Sequence, residues 1–252
     1  MTPASERTGR IASFFDAEAS RYDREYEAGS QGGQILRARL AAAVRLLGDE
    51  RTNVLDVGMG TGRLLAELDR QGWSVAGVDG SSRMVALARA RLPHREAAFL
   101  RADAESLPFS DASFDAVVAT GVLEYVDDLE QALAEVARVL RPGGRAVLSF
   151  PNYLAAHSLF QHLLWYPAAR SVKRLVPVAR PAPLRRRSRI SPRRLVSLLL
   201  AAGLDVEVVV LIGARPVPVR LAARVEGSGG ILARWLATQL VVAARKGVGG
   251  SR

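Results

Sequence analysis

From Ser13 to Gly48 apolar residues recur near the helical period, at Ile35, Leu36, Leu40, Val44 and Leu47. Gly29, Gly32 and Gly33 predict that this helical stretch is broken in two. Beyond it the pattern alternates. Short apolar runs at Asn53–Val57, Val75–Asp79, Ala97–Asp103, Phe114–Thr120 and Arg145–Phe150 predict strands. Between them Gly62–Gln71, Ser82–Leu92 and Leu129–Leu140 predict helices, the second ended by Pro93 and the third by Pro142-Gly143-Gly144. Strands alternating with helices of this length predict βαβ units and a parallel sheet covered on both faces. The alternation stops after Pro151. Residues 152–190 hold one candidate helix, Tyr153–Trp165, followed by a stretch rich in Pro and Arg. At Ser191 regularity returns: Ser191 suits an N-cap, Pro192 the first helical turn and Gly203 the stop. Val206–Ile212 and Gln239–Ala244 predict two further strands. The expected organisation is an N-terminal helical cap (1–48), a ligand-binding core (49–151), a basic lid or insertion (152–190) and a C-terminal helix and strands completing the sheet (191–252).

Composition narrows the class. The chain has 252 residues, 49% of them hydrophobic, enough for one large α/β domain. Cysteine is absent and histidine is limited to His94, His157 and His162. That excludes a disulfide framework and argues against a protein zinc cluster. The N-terminus lacks the apolar core of a secretory signal, and the long apolar stretch Leu195–Ile212 is interrupted by Asp205 and Glu207. A cytoplasmic location is expected. The net charge of +10 is uneven: residues 1–135 carry −7, residues 136–204 carry +13 with no acid, and residues 205–252 carry +4. A basic segment beside an acidic domain suggests an anionic partner. The near absence of Lys and abundance of Arg fit a bias of composition equally well.

The first βα turn carries the chemistry. Val54–Val57 runs into Gly58-Met59-Gly60-Thr61-Gly62 and then a helix. Glycines permit a tight turn and close approach of a ligand, and the helix start offers unpaired N–H groups. The dinucleotide pattern G-x-G-x-x-G is not met, since position 63 is Arg. Asp56, two residues before the first glycine, suits an ammonium group better than a pyrophosphate. Asp79 ends the second strand, where a carboxylate can accept ribose hydroxyls. Asp103, at the expected end of the third strand, could accept from an adenine amine. Three acids at consecutive strand ends describe an adenosyl ligand with an amine and no phosphates.

Asp56–Gly62, Val75–Asp79 with Ser81–Met84, Ala102–Pro108, Ser113–Val118, Gly121–Glu124 and Leu140–Arg145 together resemble the successive motifs of class I S-adenosylmethionine-dependent methyltransferases, especially the type 11 small-molecule branch. The resemblance covers about residues 50–150. It implies a doubly wound, Rossmann-like, seven-stranded α/β sheet with an inserted lid, and S-adenosylmethionine as cofactor. Gly58, Gly60 and Gly62 would line the methionine portion, with Asp56 near its ammonium. Asp79 would hold the ribose beside Gly80 and Ser81. Asp103 and Ala104 would frame the adenine, Thr120 and Gly121 would lie under the sulfonium, and Tyr22 would close over the cofactor. Many relatives carry His after the Glu of this Leu123-Glu124 pair; here it is Tyr125.

Methyl transfer from a sulfonium needs alignment of the nucleophile above all, and a base where the acceptor must lose a proton. His157 and Tyr125 are the candidate catalytic residues, with Asn152 and Tyr153 as further candidates for orienting the acceptor. The expected partner is a small molecule, methylated at O, N or C, lipid-like, anionic or carrier-bound. The basic segment could instead rest on a membrane surface or dock an acidic carrier. Nucleic acid ranks low, because the Arg run lacks interleaved aromatics. An RNA methyltransferase and a non-catalytic cofactor-binding scaffold are the rivals. The oligomeric state is not legible.

Overall fold

β1 (Asn53–Val57) is apolar on both faces because both are covered: Val54 packs into one core and Leu55 into another across the sheet. The computed structural model describes residues 6–50, 52–152, 191–214 and 237–248. In this region β2 (Ser74–Asp79), β3 (Phe99–Arg101), β4 (Phe114–Ala119), β5 (Leu140–Pro151), β6 (Leu204–Ala214) and β7 (Ala237–Lys246) join β1 in one sheet. The order is β3-β2-β1-β4-β5-β7-β6. The first five strands run parallel, and β7 lies antiparallel to both β5 and β6. The chain starts in the middle, moves outward to β3, and then returns to the other side of β1 with β4. Between β1 and β4 the direction of winding reverses, which opens a crevice beyond the carboxyl ends of the strands.

The helices cover both faces. On one, α5 (Leu129–Val139) and α6 (Pro192–Ala201) bury Leu133, Val136, Leu195 and Leu199 against Leu55, Val117 and Leu148. On the other, α2 (Gln31–Leu47), α3 (Arg63–Arg70) and α4 (Ser82–Arg91) bury Ala43, Leu47, Leu65, Leu68, Val85 and Ala88 against Val54, Val118 and Val147. Each fully buried Leu contributes roughly 1.5–3 kcal/mol from removal of apolar surface. Ser81, Asp128 and Ser191 cap α4, α5 and α6 by accepting the backbone N–H three residues on.

Several boundaries differ from the sequence expectation. The N-terminal break falls at Gly29 and Ser30, between α1 (Glu6–Glu27) and α2. Ser30 accepts from Gly33 N, so Gly32 and Gly33 lie inside the first turn of α2. A turn of 3-10 helix, Pro93–Ala98, takes up the start of the expected third strand, and β3 ends at Arg101. Asp103 therefore stands beyond the strand, bridged to Ser106. α5 ends before Pro142-Gly143-Gly144, which instead forms an irregular start to β5: pairing with β4 jumps from Leu140 to Arg145. No helix among the described residues is long and apolar enough to cross a membrane.

Candidate functional site

The crevice holds a cavity of about 810 Å³ between its lining atoms, open solvent included. Its floor comes from the turns after β1, β2 and β4, and its roof is α1. Of the residues expected from the sequence, Tyr22, Gly58, Gly60, Asp79, Gly80, Ser81, Asp103, Ala104, Thr120, Gly121 and Tyr125 all line it. Asp56 and Gly62 do not: Asp56 is 3% exposed beneath the floor, and Gly62 packs against α4. His157, His162, Tyr153 and the basic lid lie outside the described residues, as does most of the Arg-rich run.

The glycine turn separates into three roles. Gly58 has φ +74, and a Cβ there would stand 2.5 Å from Val122 Cβ, so this glycine admits a neighbouring side chain. A Cβ on Gly62 would meet Ala88 of α4 at 3.0 Å, which makes it a helix-packing residue. Only Gly60 has room above it, with the Tyr22 ring 3.7 Å from a notional Cβ. Gly58 and Gly60 both line the cavity while Gly62 does not, and of the three only Gly60 has open space where a Cβ would stand.

Asp79 joins two turns. Its Oδ2 accepts from Gly60 N at 2.9 Å and its Oδ1 from Ser81 N at 2.8 Å. Each oxygen keeps a lone pair for a ligand hydroxyl. Burial raises its pKa above the usual 3.8, partly offset by these two donors. Asp56 is pushed up further, by burial and then by the charge of Asp79, against the pull of Arg39.

Arg39, which sequence reasoning missed, lies just behind the lining, against Gly121 and Tyr22. It is 7% exposed, and its guanidinium lies where a Cβ on Gly121 would fall. Nη2 donates to the Tyr22 hydroxyl at 3.2 Å. Burial works against its charge, but the Tyr22 and Tyr26 oxygens and Glu124 outweigh that. The signal was available: Arg39 stands in the stripe Leu36, Leu40, Ala43 and Leu47 of α2, where a charge is out of place unless paired. The α1 contribution was legible too, since Thr8, Ile11, Ala12, Phe15 and Tyr22 share one helical face.

Two carboxylates fasten α1 over the cavity. Asp16 accepts from Ser81 Oγ at 2.5 Å and from Arg83 N at 2.9 Å. Asp23 Oδ1 accepts from Thr61 Oγ1 at 2.8 Å, Arg63 Nε at 2.7 Å and Arg91 Nη2 at 2.7 Å. Phe15 meets Tyr125 edge-on at 5.4 Å, closing the far wall. Among the described residues no group of acids and histidines could hold a metal ion.

The crevice at the winding reversal is lined by the turns after β1, β2 and β4 and by two acids, Asp79 and Asp103. Residues 55–148 match the model of the methyltransferase domain. Over these residues the chain is similar to the methyltransferase domain. Over 146 residues the chain is 38% identical to a demethylmenaquinone methyltransferase of Clavibacter sepedonicus, covering 57% of this chain and 59% of the relative. The chain thus spans just under three fifths of that relative's length. Among solved structures, magnesium protoporphyrin IX methyltransferase (ChlM) from Synechocystis PCC 6803 with bound SAH matches at a TM-score of 0.65 and 17% identity, over 96% of this chain and 100% of that one. The [4+2]-cyclase SpnF matches at 0.64 and 21%, over 98% and 99%. These two likenesses show the fold, a Rossmann-like α/β sheet.

Proposed function

We propose that the chain binds S-adenosylmethionine in this cavity and transfers its methyl group to a small, largely apolar acceptor. The observation that carries the reading is Asp79, a buried carboxylate held by the N–H groups of both flanking turns and still able to accept from a diol. The residues fit the cofactor. Asp79 would take the ribose hydroxyls; Asp103 and Ala104 would border the adenine; Arg39 would face the carboxylate of the methionine portion and Asp56 would lie under its ammonium. The acid-lined floor disfavours phosphates, which argues against a nicotinamide dinucleotide.

When bound, the cofactor supplies an activated methyl on sulfur, which leaves as the neutral thioether as the new bond to the acceptor forms. The chain's own part is alignment and exclusion of water. Thr120 and Gly121 form the floor beside Arg39 and Tyr22, while Phe15 and Tyr125 give an aromatic wall. Tyr125, in the cavity wall, would orient an acceptor, and His157, which follows β5 in the sequence, is the candidate base. The matched relatives named for a quinone precursor and a porphyrin support an apolar or aromatic acceptor. The neighbour named as a cyclase supports a second reading, in which the cofactor is bound and another reaction is catalysed.

The test is a screen of O-, N- and C-nucleophilic acceptors for S-adenosylhomocysteine production, with Asp79→Ala as control. Acceptor-dependent product, lost in the variant, is expected. Cofactor binding without turnover on any acceptor favours the second reading. Failure of the wild type to bind either form of the cofactor overturns both.

A further inference from the structure

Asp79 is held by N–H groups of two different turns, Gly60 after β1 and Ser81 after β2. Its use to a ligand depends on how those turns are spaced, because each oxygen must accept a backbone bond and still offer a lone pair to the same diol. Both turns are gripped from above by one helix. Asp16 and Asp23 of α1 stand seven residues apart, on one face and about 10 Å along the axis. Asp16 Oδ1 accepts from Ser81 Oγ at 2.5 Å. Asp23 Oδ1 accepts from Thr61 Oγ1 at 2.8 Å, and Thr61 is the neighbour of Gly60. Each acid therefore holds the hydroxyl of a residue that is, or adjoins, a donor to Asp79. The hydroxyls are committed to protein. Ser81 Oγ has one proton, and Met84 N at 3.0 Å can only donate to it, so that proton goes to Asp16. The Ser81 hydroxyl and the Arg83 N–H hold the Asp16 carboxyl below the usual 3.8, so it is an ionised acceptor. Thr61 is buried and does not line the cavity, and Arg91 Nε donates to its carbonyl at 2.8 Å. What these side chains hold is backbone.

We propose that α1 is a brace for the ribose carboxylate: Asp16 and Asp23 are positioning residues that fix the turns after β1 and β2 at the separation in which Asp79 can take a ligand diol. This rests on the reading that the cavity takes S-adenosylmethionine. Neither acid lines the cavity, so each acts on a ligand only through the groups it holds. A helix is stiff over two turns, and two loops tied to one rod keep their distance without a ligand to order them. That is preorganisation, and its loss appears as weaker binding. The two ends of the brace differ in how they can be cut. Asp23 also accepts from Arg63 Nε and Arg91 Nη2, so removing it leaves two guanidiniums without their carboxylate. Thr61→Val removes only the hydroxyl and keeps the shape of the side chain.

The experiment is calorimetric titration of the full chain with S-adenosylhomocysteine, for the wild type, Asp16→Ala and Thr61→Val, each alone and combined with Asp79→Ala. Expected are a Kd raised about tenfold by Asp16→Ala and about three- to tenfold by Thr61→Val, and a further change within about twofold when either is added to Asp79→Ala. Asp16→Asn keeps an oxygen for Ser81 and Arg83 and should recover most of the loss. Phe15→Ala is the control for α1 as a roof: Phe15 meets Tyr125 on the β4 side, so its loss should multiply in full with that of Asp79→Ala. An Asp16→Ala loss that multiplies in the same way would show that Asp16 holds the roof alone, and overturns the inference. So does wild-type affinity in both Asp16→Ala and Thr61→Val. If Asp16→Ala does not fold, Thr61→Val carries the same cycle from the other turn. Failure of the wild type to bind S-adenosylhomocysteine overturns the cofactor reading itself.

Discussion

Replacing Gly58 with alanine sets two costs on one residue, and the structure lets them be separated. The first is backbone strain. Gly58 has φ +74, a conformation that costs a residue with a Cβ roughly 1–2 kcal/mol. The second is contact. The new Cβ would lie 2.5 Å from Val122 Cβ and 2.8 Å from its Cγ2, and such overpacking costs roughly 1–3 kcal/mol. Reduced freedom of the unfolded chain returns about 0.4–1 kcal/mol. The net expectation is a loss of about 2–4 kcal/mol, or a fall in Tm of roughly 5–15 °C for a chain of this size. Gly203 supplies the reference: its φ is +75 with nothing within 4 Å of a notional Cβ. Gly203→Ala bears the strain alone and should cost about 1 kcal/mol or less once the unfolded-state gain is counted. Equilibrium urea unfolding of both variants reads the difference, which is the contact with Val122. Val122→Gly, which removes the clashing Cβ, should recover about 1–2 kcal/mol of it in the Gly58→Ala background, read against Val122→Gly alone. Equal losses in Gly58→Ala and Gly203→Ala, or no rescue, would refute the assignment of Gly58 to packing against Val122.

Asp79→Asn should weaken S-adenosylhomocysteine binding about 10- to 100-fold, because its amide cannot accept from both Gly60 and Ser81 N–H groups and also from a diol; calorimetry giving a wild-type Kd would remove Asp79 from the site. Arg39→Leu should weaken the same ligand by a similar factor while leaving methylthioadenosine within about twofold; equal losses for both ligands would mean that Arg39 serves folding alone. Asp23→Asn should speed dissociation of S-adenosylhomocysteine about tenfold in stopped flow, since it loosens α1 from Thr61, Arg63 and Arg91; an unchanged rate would show that α1 does not gate the cavity. Burial draws Asp23 upward, but its bonds from Arg63 and Thr61 and the charge of Arg91 hold it below the usual 3.8. Its contribution is therefore full above that value and lost as pH falls through the folded one, so dissociation measured in acid should quicken in the wild type and not in Asp23→Asn.

The alternation of strands and helices was legible because a parallel sheet covered on both faces leaves a plain mark: Val54–Val57 and Ala116–Ala119 are buried without interruption. Boundaries were less so. Leu140 fits the apolar period of α5, yet its backbone turns extended to pair with Phe114, a choice made by a partner far along the chain. In the site, residues that follow a strand end directly were readable, since the sheet fixes where each strand stops: Asp79, Thr120 and Gly121 all reach the cavity. Residues brought in from elsewhere were not. Arg39 reaches Gly121 only because α2 packs beneath β4 and β5, and no local pattern states that distance. Asp56, adjacent in sequence to the cavity's Val57, is buried and is not among the lining residues.

By itself the sequence determined the kind of protein: hydrophobic period fixes elements, the order of elements fixes a doubly wound sheet, and a glycine turn at the first strand end marks the edge of the cavity. Local chemistry suffices for these, because each depends on residues a few positions apart. Only the tertiary structure decided the charge of the site. Asp56, Asp79, Glu124 and Arg39 come from four separate elements, and burial makes their charges answer to one another. Whether those charges balance is a property of the assembled crevice and of no single segment.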